Sequence, residues 1–298
     1  MHEHFVAFCG LSIPRSYEIV PISANIWSGF TTGDFQMKIR FGGLIAIAFV
    51  IVTSFFLITA SAMAQSAASK DIPRLPNGKP DFSGVWDHPR VLDVTRDGKG
   101  CGGGTPGCTQ KGNGELSLTP EGAKRFKGPR IDFTAYCLPW GYSRSSQVEY
   151  PLAIMHQPDR LAFLYESNNI FHVVHLDGRD HPKDLEPSWM GHSVGKWEGD
   201  TLVIDSIGFN GKTYIDTAEH PSSDALHVTE RIGYADPQHL NYEITWEDPR
   251  MYTKPVKNTR VYARMKPGDE LMEYWCMENN KSLLEHHLPD LKLDQLNQ

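Results

Sequence analysis

Glu230 stands in a run, residues 225–235, whose alternation puts it on one stripe with Leu226, Val228, Ile232 and Tyr234. A carboxylate among apolar neighbours is either paired or has its pKa raised by desolvation. A raised carboxylate suits general acid–base work near neutral pH. The plainer readings are an ion pair with an arginine, or a solvated face carrying scattered apolar residues. Asp205 shares a stripe with Val203 and Ile207, where it can orient a histidine, position a ligand hydroxyl or cap the loop that follows. His172 shares one with Ile170, Val174 and Leu176, a setting that more often holds a satisfied core histidine than a catalyst.

The densest polar and aromatic cluster is the stretch from His181 to Ser193, with Trp189 beside His192. An exposed indole offers a platform for a planar ligand, and an imidazole can move protons at neutral pH. The opposing reading of Trp189 is a plug packed into the end of a barrel. A second stretch adds Tyr214, Asp216 and His220. We therefore expect His192, Glu230 and Asp205 to be catalytic, with His192 and Glu230 as an acid–base pair. His172, Trp189, Tyr214, His227 and Trp246 are expected to touch the ligand.

Other chemistries are disfavoured. Eleven of the thirteen histidines follow residue 64, but no His-x-His or His-Glu-x-x-His pair occurs among those eleven. A metal held by His181, His192, His220 and His227 would depend wholly on the fold, and none is expected. There is no phosphate-binding glycine loop after a strand, and neither a nucleotide cofactor nor serine hydrolysis is expected. Lys+Arg 29 against Asp+Glu 36 gives a net charge of -7, which argues against nucleic acid as a partner.

These residues need a scaffold, and the 298-residue chain supplies one only after its start. Residues 37–64 carry Lys38 and Arg40, an apolar run, and Ala62-Met63-Ala64, the pattern of a cleaved signal peptide. The rival reading is a permanent anchor, since the run is long enough to span a bilayer. We expect cleavage, with residues 1–36 an over-extended start, a periplasmic or secreted product, and no membrane contact afterwards. Residues 65–142 are rich in Gly, Pro and charge and read as an arm with one helix at 119–126, capped by Thr119.

From residue 143 the chain reads as strands: 147–156, 160–166, 170–176, 192–197, 201–207, 225–235, 239–247, 257–265 and 270–276. Most are joined by turns such as Glu198-Gly199-Asp200 and Pro267-Gly268-Asp269. Such a meander predicts an all-β, up-and-down antiparallel barrel of about eight to ten strands, because closure removes the edges. The long connections 177–191 and 208–224 are the functional suspects. Four cysteines of the exported part allow three pairings. Cys101 and Cys108 bracket a Gly/Pro loop able to close on itself, which leaves Cys137 to join Cys276 in the last strand. A zinc site is the rival, without a Cys-x-x-Cys spacing to support it.

The run PSWMGHSVGKWEGDTLVIDSIGFN (187–210) resembles a family of secreted bacterial proteins without an established reaction. The same likeness runs through LPNGKPDFSGVW (75–86), SDALHVTERI (223–232), EDPRMYTKP (247–255) and CMENNK (276–281). The GKWEGDTLVID hairpin is similar to small lipocalin-like domains, which implies a calycin-type barrel with a ligand cavity. Taken together, we expect a cofactor-independent enzyme moving protons on a small hydrophobic or aromatic molecule: a lyase, hydratase or isomerase. The alternative is a carrier that holds such a ligand without turnover.

Overall fold

A computed structural model describes residues 72–291, apart from 149 and 279. The expected over-extended start and signal peptide lie outside the described residues. Eleven strands follow in chain order: β1 (Gly84–Asp87), β2 (Gly98–Lys99), β3 (Thr109–Lys111), β4 (Leu152–Gln157), β5 (Arg160–Tyr165), β6 (Ile170–His175), β7 (His192–Glu198), β8 (Thr201–Ile207), β9 (His227–Asp236), β10 (His239–Glu247) and β11 (Val256–Arg264). Among the described residues three short α-helices accompany them: α1 (Pro120–Lys127), α2 (Gly141–Ser145) and α3 (Lys281–Leu284).

The sheet runs β1-β4-β5-β6-β7-β8-β9-β10-β11, and β1 pairs with β11 to close a ring of nine strands. β3 and β2 extend from β11 outside that ring. An odd number of strands cannot alternate direction all the way round a closed ring. One neighbouring pair must run parallel, and that pair is β6 with β7. This corrects the expectation of a purely antiparallel barrel. The long connection between β6 and β7 is what lets the chain return to the end it left.

Closure also corrects the ends of the meander. The arm is not only a wrapping: Trp86 and Asp87 of β1 pair with Arg264 and Ala263 of β11. The place beside β11 is thus taken, and residues 270–276, expected as a last strand, form no strand. β4 begins at Leu152 and not at 147, because Pro151 has no N–H to give the ladder. Between the arm and β4, the chain instead winds into α2 with Tyr142, Ser143 and Ser145 buried.

Side chains fill the barrel. Trp86, Trp246, Tyr142, Tyr262, Phe82 and Phe163 are fully buried, with Leu161, Leu202, Ile204 and Ile232 between them. Burying an aromatic side chain of this size contributes on the order of 2–3 kcal/mol each. The cysteines pair as Cys101–Cys108 and Cys137–Cys276. No helix among the described residues is long and apolar enough to cross a membrane.

Helix α1 forms where its sequence signals lie. Thr119 accepts a hydrogen bond from the Gly122 amide at 2.9 Å, and Pro120 takes the first helical position. Thr119→Ala is expected to lower stability by about 1 kcal/mol in urea unfolding. An unchanged midpoint would show that the cap contributes nothing here.

Candidate functional site

Strand register sorts the expected residues between the two faces of the barrel wall. Ile204 pairs with Glu230, and both are buried inside the barrel. His192 pairs with Ile207, three residues from Ile204, so it faces outward. Asp205 faces outward by the same alternation, as does His227, three residues from Glu230. His192 and Glu230 therefore stand on opposite sides of the wall, and the structure does not bring them together as a pair. A strand pattern read alone identifies two faces without saying which strands present theirs to a common space.

Outside, the register gathers a row of titratable groups that no sequence motif announces. His181 comes down from the β6–β7 connection and sets its Nε2 3.0 Å from Asp205 Oδ2. Its Nδ1 lies 2.8 Å from Nδ1 of His192. The other oxygen of Asp205 is held by His227 Nε2. Beyond it, His227 Nδ1 lies 3.6 Å from Glu247 Oε2. At the far end the His192 ring stacks on His175, with centroids 5.3 Å apart. His175 and Glu247 were not expected. The signal for them was their parity: in β6 His175 lies on the face opposite His172, and Glu247 pairs across the ladder with His227.

The electrostatics of the row follow from its contents. Burial alone would raise the Asp205 carboxyl, but hydrogen bonds from His227 and His181 hold it below the usual carboxylate range. Partial burial, then the nearby His181 and His175, lowers His192 below an ordinary imidazole. A neutral His192 beside an ionised Asp205 is the outcome near pH 7.

His192 opens on a groove. β6 and β7 share only two residue pairs, Val174–Ser193 and His175–Val194, so residues 170–173 have no strand neighbour on that side. A hollow of about 440 Å³ opens there, lined by Ile170, Phe171, Val173, Met190, His175 and His192, among others. Gly191 makes the turn that delivers His192: its φ is +68°, and a Cβ there would stand 2.7 Å from the Ile207 carbonyl oxygen.

Inside the barrel, Glu230 accepts a hydrogen bond from the Tyr242 hydroxyl, while its Oε2 has no partner among the described residues. Burial raises its carboxyl. His172 is likewise interior, with Nε2 2.6 Å from Ser193 Oγ, and burial drives it down to about 3. Trp246 is core, its indole N–H donating to Ser143 Oγ at 3.0 Å. Trp189 and Tyr214 both set their rings edge-on to Phe133, at 6.3 and 5.7 Å, in a small cluster apart from the main core. Trp189 is thus half-buried in a contact outside the main core.

Among the described residues, one group has the spacing of metal ligands: atoms of Asp93, Asp216 and His220 lie within 4.8 Å of one another. Hydrogen bonds account for them. Asp216 Oδ2 accepts from the Val94 amide at 2.9 Å and meets His220 Nδ1 at 2.7 Å, while Asp93 pairs with Arg96 at 3.1 Å. His220 is accordingly engaged with Asp216 and not with His181, His192 or His227.

No family model matches the chain, and no curated protein does. The likeness of residues 187–210 to secreted bacterial proteins has no matching family behind it.

Proposed function

We propose that this protein is a cofactor-independent, exported enzyme that transfers protons on a small hydrophobic or aromatic molecule, with His192 as its acid–base group. The observation that carries this reading is the chain His192–His181–Asp205 ending in an apolar groove. Hydrogen-bond logic orients it. His181 Nε2–H donates to the Asp205 carboxylate, so a neutral His181 must accept at Nδ1. His192 then donates from Nδ1, which leaves the lone pair of its Nε2 for a substrate proton.

In the forward step a substrate C–H or O–H proton passes to His192 Nε2, and its electron pair stays on the substrate. The Nδ1 proton of His192 moves to His181 Nδ1, and the resulting imidazolium is held by Asp205, as in a catalytic triad. Return of the proton to a different substrate atom is an isomerisation; loss of a leaving group before its return is elimination. The two disulfides suit an oxidising compartment, in keeping with export to the periplasm or beyond. A carrier without turnover is the second reading, favoured by the apolar lining of the groove.

Long-range ¹H–¹⁵N spectra of the histidine rings test the orientation. At pH 7.5 His192 should carry its proton on Nδ1, and Asp205→Asn should scramble that tautomer. A proton on Nε2 of His192 in the wild type would rule the relay out.

A further inference from the structure

The hollow at His192 does not end at β6. It shares Asn169 and Ile170 with a second hollow of about 410 Å³, whose walls include Leu138, Pro139, Tyr274, Trp275 and Met277. Among the described residues, no Asp, Glu, Lys or Arg lines either one, in a chain of which 22% is charged. Large aromatic side chains stand open along this path: Trp275 and Phe171 are each 63% exposed.

The far wall is residues 272–277, the stretch that closure of the barrel left without a strand partner. It is nevertheless fastened at several points. Cys276 is bonded to Cys137, the Met272 amide donates to Glu166 Oε2 at 2.8 Å, and the Asn169 amide group donates to the Tyr274 carbonyl. Tyr274 also packs against Trp140 and Tyr150, with centroids 6.4 and 6.0 Å apart. Trp275, between these fastenings, is left with its indole in solvent. An exposed indole on a pinned backbone is a preorganised contact, because little freedom remains to be lost when a ring settles on it.

We propose that the two hollows are one elongated binding groove, which takes an uncharged molecule with an aromatic ring against Trp275 and its reactive end at His192. This rests on the acid–base reading of His192 and adds that the ligand is uncharged and where its ring is seated. An ionised ligand would lose hydration in the groove and find no opposite charge there.

The test uses two dyes of like ring system, neutral N-phenyl-1-naphthylamine and anionic 8-anilino-1-naphthalenesulfonate, titrated into the oxidised protein and followed by fluorescence. The neutral dye should bind at least tenfold more tightly than the anionic one. Trp275→Ala should weaken it at least tenfold, Trp275→Phe should restore most of the loss, and Leu92→Ala, at an exposed apolar residue outside the groove, should change nothing. Equal affinity for both dyes, or wild-type affinity in Trp275→Ala, overturns the proposal. The ring spectra of His192 are read separately. Trp275-dependent binding with the wrong tautomer keeps the groove and removes the reaction, and the right tautomer without such binding does the reverse.

Discussion

Replacing His192 by alanine is expected to slow proton abstraction from a neutral aromatic carbon acid by about 100- to 10,000-fold, the usual contribution of a positioned general base. 5-Nitrobenzisoxazole is a suitable probe: a base takes its C3 proton, the N–O bond breaks, and the cyanophenolate released absorbs visible light. Asp205→Asn should slow the same reaction by a smaller factor. It leaves the base in place and removes only the charge that steadies His181. Glu230→Gln should leave the rate within about twofold, because Glu230 is inside the barrel and His192 outside. The rate should fall on the acid side as His192 takes up a proton, at a pH below the ordinary imidazole value because burial and the neighbouring His181 lower it. A rate lost in Glu230→Gln and kept in His192→Ala would move the chemistry into the barrel.

The second large effect is on stability in acid. His88 and His172 are buried, and burial lowers them to about 4 and about 3. His88 lies against the Tyr262 ring with Nδ1 3.1 Å from the Pro89 carbonyl, and His172 is enclosed by Tyr142 and Phe163. Their folded pKa values lie below the unfolded value of about 6.5, so the unfolded chain binds the extra protons. The stability they contribute is whole above that value and is lost as pH falls towards 4 and 3. Each buried histidine costs up to roughly 1.4 kcal/mol per pH unit in that window, or roughly 3 kcal/mol for the two between pH 6.5 and 5. Glu230 acts in the opposite sense, since a raised carboxyl favours the folded state on the acid side. Urea unfolding at pH 7, 6 and 5 should show the decline, and His172→Gln, which retains an amide to meet Ser193, should make it shallower. Equal stability across that range would mean that neither ring is held neutral by burial.

Local chemistry determined a good part of this protein. The start of α1 is written in Thr119-Pro120, and most of the hairpins from β4 to β11 in their turn residues and in alternation of period two. Alternation also assigned Glu230 and His172 to an apolar face, which is the barrel interior. What alternation cannot supply is the order of strands around a ring or the offset between them. That Trp86-Asp87 closes the barrel, and that residues 270–276 are thereby left out of it, depends on which edge is free once the rest has paired. The odd strand count requires one parallel pair, and only the folded sheet decides that it is β6 with β7, overlapping by two residue pairs. The row of His175, His192, His181, Asp205, His227 and Glu247 was therefore hidden in the chain. Its members come from five strands and one connection, and only register places their side chains within hydrogen-bonding or stacking reach.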